Sequence, residues 1–294
     1  MDSRYHEPVL LSESTEYLLN NKDNTLSRVY VDCTLGGGGY TKKILELTSS
    51  DTKVIAIDRD VHSIEYCKVL LKDFSERIIY VQDNFAAITD IISSRSINKV
   101  SGVVMDLGLS SYQLNEEDGF SYQKDTALDM RADKSQSLKA SDVLNDYDED
   151  ELHRIFKEYG ELKYSRQITR DIVASRKLKR FETTFDLVET LKEKIPPRFL
   201  NKDLSKTFQA IRIEVNGELD NLKKALVDAA GNLEQGARIV AVSYHSLEDR
   251  IVKNFFRSSQ ELKVITKKPV EPNDEEIGMN VRSRSGKLRA AQKI

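Results

Sequence analysis

The 294-residue chain predicts an α/β fold in which a parallel sheet is covered by helices and carries an all-helical insertion between its fourth and fifth strands. Two observations carry this expectation. Strand-like and helix-like segments alternate as βαβαβαβ from Val29 to Met105. The alternation then stops at residue 115, gives way to apolar positions at helical spacing, and resumes after residue 216. The expected domains are therefore 1–114 with 217–294, a discontinuous sheet domain, and 115–216, the helical insertion.

The first strand, Val29-Tyr-Val-Asp32, is β-branched and apolar, as suits a buried strand. Four glycines follow, Gly36 to Gly39, and then Ile44 and Leu45 begin a helical pattern. Strand, glycine turn and helix bring backbone close to a nucleotide-like ligand, because glycine allows positive φ and has no Cβ. Lys53 to Ile57 reads as the second strand, closed by Asp58, and Val61 to Leu71 as a helix. Arg77 to Val81 is the third strand, followed by Asp83-Asn-Phe85, and Val100 to Met105 the fourth, closed by Asp106-Leu-Gly-Leu-Ser-Ser111.

Residues 115 to 150 hold eleven acids against four bases and no clear strand. Residues 151 to 195 read as helical, Pro196-Pro197 breaks the run, and Leu204, Phe208, Ile211 and Val215 mark another helix. Helices at Leu219 to Ala230 and Leu247 to Phe256, and strands at Arg238 to Ser243 and Leu262 to Thr266, complete the sheet domain. The tail from Gly278 to Ile294 carries five Lys/Arg and no acid.

Composition narrows the classes. A hydrophobic share of 39% and a charged share of 32% describe a soluble globular protein, no run of about 18 apolar residues offers a membrane span, and an N-terminus without an apolar signal core makes a cytoplasmic protein the expectation. Two cysteines are too few for a disulfide framework, and four scattered histidines suggest no metal site. A net charge of −3 leaves any nucleic-acid signal to local clusters. One such cluster is Glu161 to Arg180, with seven Lys/Arg against two acids; the other is the tail. Five tail charges on single-stranded phosphates would contribute a salt slope of about −3.5.

Three acids end strands: Asp58, Asp83 and Asp106. Ligands of open α/β sheets bind beyond the carboxyl ends of the strands. Asp58 lies 22 residues after Gly36, the spacing at which a carboxylate takes a ribose diol. A nicotinamide oxidoreductase would share these two features, yet its third glycine would fall at Thr41. An S-adenosyl-L-methionine (SAM) methyltransferase sheet, Rossmann-like in order, accounts for all of them. Asp58 then holds the ribose, Asp83 to Phe85 flank the adenine, and Asp106 lies beside the sulfonium and the target atom. Asp106-Leu-Gly-Leu is a loose match to the loop of methyltransferases acting on exocyclic amino groups, with the aromatic supplied by Tyr112, Phe120 or Tyr244. His245, on the same rim, is a candidate proton acceptor, and Ser246 with Asp249 a candidate helix cap.

The motifs as a set resemble one family along nearly the whole chain. They are His6-Glu-Pro-Val-Leu-Leu, Asp32-Cys-Thr-Leu-Gly-Gly-Gly-Gly-Tyr, Ala56-Ile-Asp-Arg-Asp60, Asp106-Leu-Gly-Leu-Ser-Ser, Leu128-Asp-Met-Arg131, Thr207-Phe-Gln-Ala-Ile-Arg-Ile-Glu-Val-Asn, Tyr244-His-Ser-Leu-Glu-Asp-Arg-Ile-Val-Lys and Arg282-Ser-Arg-Ser-Gly-Lys-Leu-Arg-Ala-Ala. The chain is similar to the bacterial 16S ribosomal RNA (cytosine-N4)-methyltransferases. That resemblance implies SAM as cofactor and methylation of N4 of one cytidine in the decoding region. It also implies small-subunit ribosomal RNA or the 30S subunit as partner, and an insertion that helps bind RNA. By motif position SAM would meet Gly38, Gly39, Tyr40, Asp58, Phe85, Asp106 and Gln113, with Asp106, Tyr244 and His245 at the chemistry. Tyr40 stands where the family often has His. A non-catalytic RNA-binding assembly factor stays as an alternative, and both monomer and homodimer stay open.

Overall fold

The computed structural model describes residues 8–19, 28–108 and 118–294. The chain divides into two compact units, Met1–Ser110 with Leu219–Ile294, and Ser111–Glu218.

In the first unit, helix α1 (Leu11–Leu19) precedes β1 (Val29–Asp32), α2 (Gly39–Leu47), β2 (Lys53–Asp58), α3 (Val61–Leu70), β3 (Ile78–Gln82), α4 (Ile88–Ser93) and β4 (Val100–Asp106). The insertion holds α5 (Ala140–Asp146), α6 (Glu149–Glu158), α7 (Ser165–Arg176), α8 (Thr184–Lys192) and α9 (Pro197–Asn216). Then come α10 (Glu218–Asn232), β5 (Leu233–Ser243), α11 (Ser246–Ser258), β6 (Leu262–Val264), α12 (Asp274–Met279) and β7 (Lys287–Lys293). Among the described residues no helix is long and apolar enough to cross a membrane.

The seven strands form one sheet in the order β3-β2-β1-β4-β5-β7-β6. The pairs β3·β2, β2·β1, β1·β4 and β4·β5 are parallel, and β7 is antiparallel to both β5 and β6. Strand order reverses between β1 and β4, the switch point beside which ligands of open α/β sheets bind. The antiparallel β7 between β5 and β6 departs from the 3-2-1-4-5-6 order of dinucleotide-binding sheets.

Alternate residues of each strand face opposite cores. Val31, Ile55, Ile57, Val103, Met105 and Ile239 pack with α4, α10 and α11. Tyr30, Val54, Ala56, Val104, Val240 and Val242 pack with α1, α2 and α3. With both faces covered, β4 reads as a run of apolar and small residues, buried from Val100 to Met105.

Three elements differ from expectation. The basic tail, expected only as a charged cluster, contains an interior strand, Lys287–Lys293, with Ala290 and Ala291 fully buried. Its Leu, Arg, Ala, Gln and Lys residues favour helix, and pairing with β5 and β6 overrides that weak local preference. Strand β5 begins at Leu233, five residues before the expected start. Its register on β4 jumps from Val100↔Leu233 to Gly102↔Arg238, around Gly236 at φ 83, so a bulge breaks the alternation. Helix α1 carried no expectation; Leu18 and Leu19 bury it against the sheet.

The second unit has its own core of Leu144, Leu152, Ile155, Phe156, Ile172, Leu187, Phe208 and Ile211. The long helical stretch is three helices. Capping boxes start two of them, at Asp148 with Glu151 and at Thr183 with Asp186. Pro197 sits at the first position of α9, where a missing N–H costs nothing. The buried Asn216 side chain accepts from the Ala132 N–H and donates to the Met130 carbonyl, tying the loop before α5 to α9.

Candidate active site at the carboxyl ends of the strands

Four parallel strands end in carboxylates or lead directly into the turns that follow. Asp32, at the end of β1, is fully buried. It accepts from the Thr41 hydroxyl at 2.7 Å and from the Thr34 N–H at 3.1 Å. Thr41, expected only as a departure from a dinucleotide fingerprint, thus ties α2 to the first strand. Burial pushes Asp32 up to about 6, against these hydrogen bonds.

The turn between β1 and α2 has Gly36 at φ 48 and Gly38 at φ 79, backbone that favours glycine. The Gly36 N–H donates to Asp58 at 2.8 Å, and the Asp60 N–H donates to the other Asp58 oxygen at 2.9 Å. The strand-two acid therefore organises the turn while each oxygen keeps a further lone pair for a ligand hydroxyl. Burial raises Asp58 to about 6. A Cβ at Gly38 would meet the Cys67 sulfur at 2.9 Å, and one at Gly39 would meet Pro8 at 2.4 Å. A Cβ at Gly36 would meet nothing closer than the Thr34 carbonyl at 3.8 Å. Gly38 and Gly39 thus turn their Cβ side to protein, and Gly36 is the open member. Tyr40 is buried, its hydroxyl donating to the Val9 carbonyl at 2.6 Å. Its ring belongs to the core, so any cofactor contact at this position runs through backbone.

After β3, Asp83 is exposed and the Asn84 side chain caps a short 3₁₀ turn at Phe85–Ala87. The half-buried Phe85 ring lies 5.7 Å from the Arg59 guanidinium. Ring and guanidinium offer flat surfaces that suit a purine.

Asp106 ends β4. Its N–H donates to the Thr34 hydroxyl at 2.7 Å, which joins it to the β1 turn. The Tyr244 hydroxyl, just past β5, donates to Asp106 Oδ1 at 2.7 Å. Burial pushes Asp106 up to about 7; the tyrosine hydrogen bond works against this, and the negative charges of Asp32 and Glu248 reinforce it. A Cβ at Gly108 would come within 2.7 Å of the Tyr244 ring, so the ring lies directly over the Asp106-Leu-Gly backbone. Among the described residues, Tyr244 is a candidate aromatic that lies beside Asp106. Phe120 is buried in the other unit, and Tyr112, like Gln113, lies outside the described residues.

The cap of α11 is displaced by one residue from expectation. His245, not Ser246, is the N-cap, and its Nδ1 accepts from the Glu248 N–H. The buried Glu248 carboxylate accepts from the Tyr244 N–H at 3.0 Å and lies 3.2 Å from His245 Nε2. Both ring nitrogens of His245 are thereby turned to its own helix start, and the Tyr244 hydroxyl, not the imidazole, reaches Asp106. Asp249 instead takes Arg289 of β7 in a two-pronged pair at 2.5 and 3.0 Å.

Gly108 and Glu248 escaped sequence reasoning. A glycine two residues after a strand-end acid is the local trace of Gly108. Glu248 stands three residues after its cap, the usual capping position, and this concealed its hold on Tyr244.

The rim acids fit a cationic, diol-bearing ligand. Asp32, Asp58 and Asp106 are bonded by N–H and O–H donors and raised by burial, so a sulfonium nearby would favour their charged forms. Sheet order, glycine turn and strand-end acids define a Rossmann-like methyltransferase that uses SAM. A family model described as the MraW methylase family matches residues 3–294. Two relatives carry the name ribosomal RNA small subunit methyltransferase H. The one from Clostridium botulinum (strain Loch Maree / Type A3) is 46% identical over 310 aligned positions, covering 98% of this chain and 99% of that protein. The one from Caldicellulosiruptor saccharolyticus is 44% identical over 309, with the same coverage. A solved rRNA methylase from Streptococcus thermophilus aligns with a TM-score of 0.45 at 12% identity, covering 96% of this chain and 95% of that one. The chain belongs to the MraW methylase family.

Proposed function

We propose that the protein transfers the methyl group of SAM to the exocyclic N4 of a cytidine in the decoding region of 16S ribosomal RNA, acting in the cytoplasm on that RNA or on the 30S subunit. The observation that carries the chemistry is the Asp106–Tyr244 pair at 2.7 Å over Gly108. Bound SAM supplies an electrophilic methyl on a sulfonium. Tyr244 occupies Oδ1 of Asp106 and leaves Oδ2 to accept one hydrogen of the cytosine amino group. That hydrogen bond turns the nitrogen lone pair toward the methyl carbon, a gain in orientation. As the N–C bond forms and the S–C bond breaks, the nitrogen must shed a proton. Asp106, raised to about 7, is matched to take it at neutral pH. Asp58 takes the ribose, Phe85 the adenine, and the Gly36–Gly39 turn, with Tyr40 by its backbone, the methionine end. A base reaching this rim must leave its stack, which suits an unpaired cytidine.

RNA contact is assigned to the helical insertion. Its basic cluster is thinner than its count suggests. Arg176 donates to the Leu144 and Tyr147 carbonyls, and Arg170, Lys179 and Arg180 pair with Glu149, Asp186 and Asp146. The support comes instead from exposed cation–aromatic pairs, Lys163 over Tyr164 at 5.4 Å and Arg198 over Phe199 at 4.6 Å, with exposed Arg166 and Lys202. Such pairs present both a charge for phosphate and a face for base stacking. In the tail, Arg289 and Lys293 are held by Asp249 and by Glu261, so the slope of five free charges does not apply.

Incubating the protein and labelled SAM with small subunits lacking the modification, followed by nucleoside analysis, tests the reading. N4-methylcytidine is expected; label at N3, C5 or a ribose hydroxyl overturns it.

A further inference from the structure

Two motifs have no task in the chemistry above: His6-Glu-Pro-Val-Leu-Leu near the start of the chain and Arg282-Ser-Arg-Ser-Gly-Lys near its end. Pro8 to Leu10 of the first motif meet Gly39 of the glycine turn through Pro8 and Gly286 of the second motif through Val9. The Pro8 ring occupies the space a Cβ on Gly39 would need, 2.4 Å from Cγ and 2.5 Å from Cδ. The Val9 carbonyl accepts the Tyr40 hydroxyl at 2.6 Å, and the Ser14 hydroxyl lies 3.3 Å from the same oxygen of Tyr40. A Cβ on Gly286 would sit 2.7 Å from Val9 Cγ1, so Val9 presses on the chain just before β7. The Leu10 N–H donates to Glu276 Oε1 of α12 at 2.7 Å. Leu10 itself is buried at φ 55, a left-handed conformation that a non-glycine residue keeps only when its surroundings hold it there.

We propose that Pro8–Leu10 is a strap that positions the glycine turn for SAM, with Tyr40 and Glu276 as its two anchors. This rests on the turn being the cofactor seat, as argued above. A turn built from four successive glycines has much conformational freedom to lose. Any freedom left in it would be lost when ligand binds, at the expense of affinity. The strap removes that freedom beforehand: Pro8 covers Gly39, Tyr40 ties the first turn of α2 to the strap, and Glu276 ties the strap to the C-terminal segment. It also gives the two glycines, Gly39 and Gly286, one shared reason, since both leave room for the strap. Tyr40 and Glu276 are positioning residues, because each acts on the turn through Val9 or Leu10.

The test is calorimetric titration of SAM into the full-length protein and its variants, with turnover measured at saturating SAM. Tyr40→Phe removes the donor to Val9, and Glu276→Leu removes the acceptor for Leu10. Each is expected to raise Kd about tenfold, and Glu276→Leu, whose side chain lies outside the site, is expected to keep kcat at saturation within about twofold of wild type. Glu276→Gln keeps an acceptor oxygen and is expected to bind within about twofold of wild type. The double variant is expected to lose no more than about the larger single loss, because both anchors hold one strap. Hydrogen exchange at the amides of residues 36 to 40 is expected to quicken in both single variants. Unchanged Kd values, or fully additive losses with unchanged exchange at the turn, overturn the strap. Wild-type protein that does not bind SAM would overturn the cofactor reading itself and the strap with it, a result separate from any variant effect.

Discussion

Carboxylates at the sheet rim and carboxylates in the helical insertion are held by opposite kinds of partner. Asp32, Asp58 and Asp106 are bonded by backbone N–H groups and hydroxyls, and burial raises all three. In the insertion, Asp129 is gripped by Arg131 at 2.7 and 2.9 Å with Lys134 at 3.5 Å, and Asp186 by Lys179. Burial works against ionisation there too, but the hydrogen bonds and the cations outweigh it and both acids sit below the usual range. A carboxylate with its cation already beside it is a fastener. One kept buried among neutral donors has room for a cation or a proton to arrive, as the role proposed for Asp106 requires.

The largest expected separation between the two regions is kinetic. Asp106→Ala removes the amino acceptor and the proton acceptor together, and transfer to RNA should fall about 10³-fold. Thermal unfolding of this variant without ligand should be near wild type. Near-normal turnover would end the assignment. The converse change, Asp129→Ala, leaves the half-buried Arg131 with carbonyl acceptors but no counter-charge from Asp129 and should cost about 2 kcal/mol of stability. Its SAM affinity, read by calorimetry, should be unchanged.

Tyr244→Phe sharpens the contrast within the rim. It keeps the ring over Gly108 and removes one hydrogen bond to Asp106, which should lower kcat about tenfold. That bond works against the rise of Asp106, so its loss moves the acidic limb of the pH–rate profile to higher pH. A limb that stays in place would separate the proton acceptor from Asp106.

The smallest expected effect is on stability against pH. Each rim acid has a folded value above its ordinary one, so between about pH 4 and 7 the folded protein binds more protons than the unfolded chain. Unliganded stability from these groups is therefore greatest at low pH in that window and declines as pH rises to about 7. The melting temperature should rise by a few degrees from about pH 8 to pH 5.5. Saturating SAM, cationic at sulfur, favours the ionised acids and should reduce or reverse the trend. Asp129 and Asp186 have lowered values, so their contribution is complete above about pH 4 and is lost only in stronger acid.

Much of this architecture was legible locally. The parallel strands, the glycine turn, the strand-end acids and the helical insertion follow from periodicity and turn chemistry, which act over a few residues. The Asp58–Gly36 spacing of 22 residues also survives into a hydrogen bond, because β1 and β2 pair in parallel and their carboxyl ends lie side by side. Tyr244 lies 138 residues from Asp106, and composition allowed three aromatics at that place. Sheet order, which sets β5 beside β4, brings Tyr244 to Asp106. The tail shows in the sequence only as a basic cluster, whereas its structure comes from two antiparallel neighbours and an ion pair reaching back 40 residues. The strap over Gly39 joins the beginning of the chain to a glutamate 266 residues away, and no window of sequence contains both. Local chemistry set which residues could serve the site; pairing across long separations set which of them meet, because a contact between distant segments exists only once the sheet between them has formed.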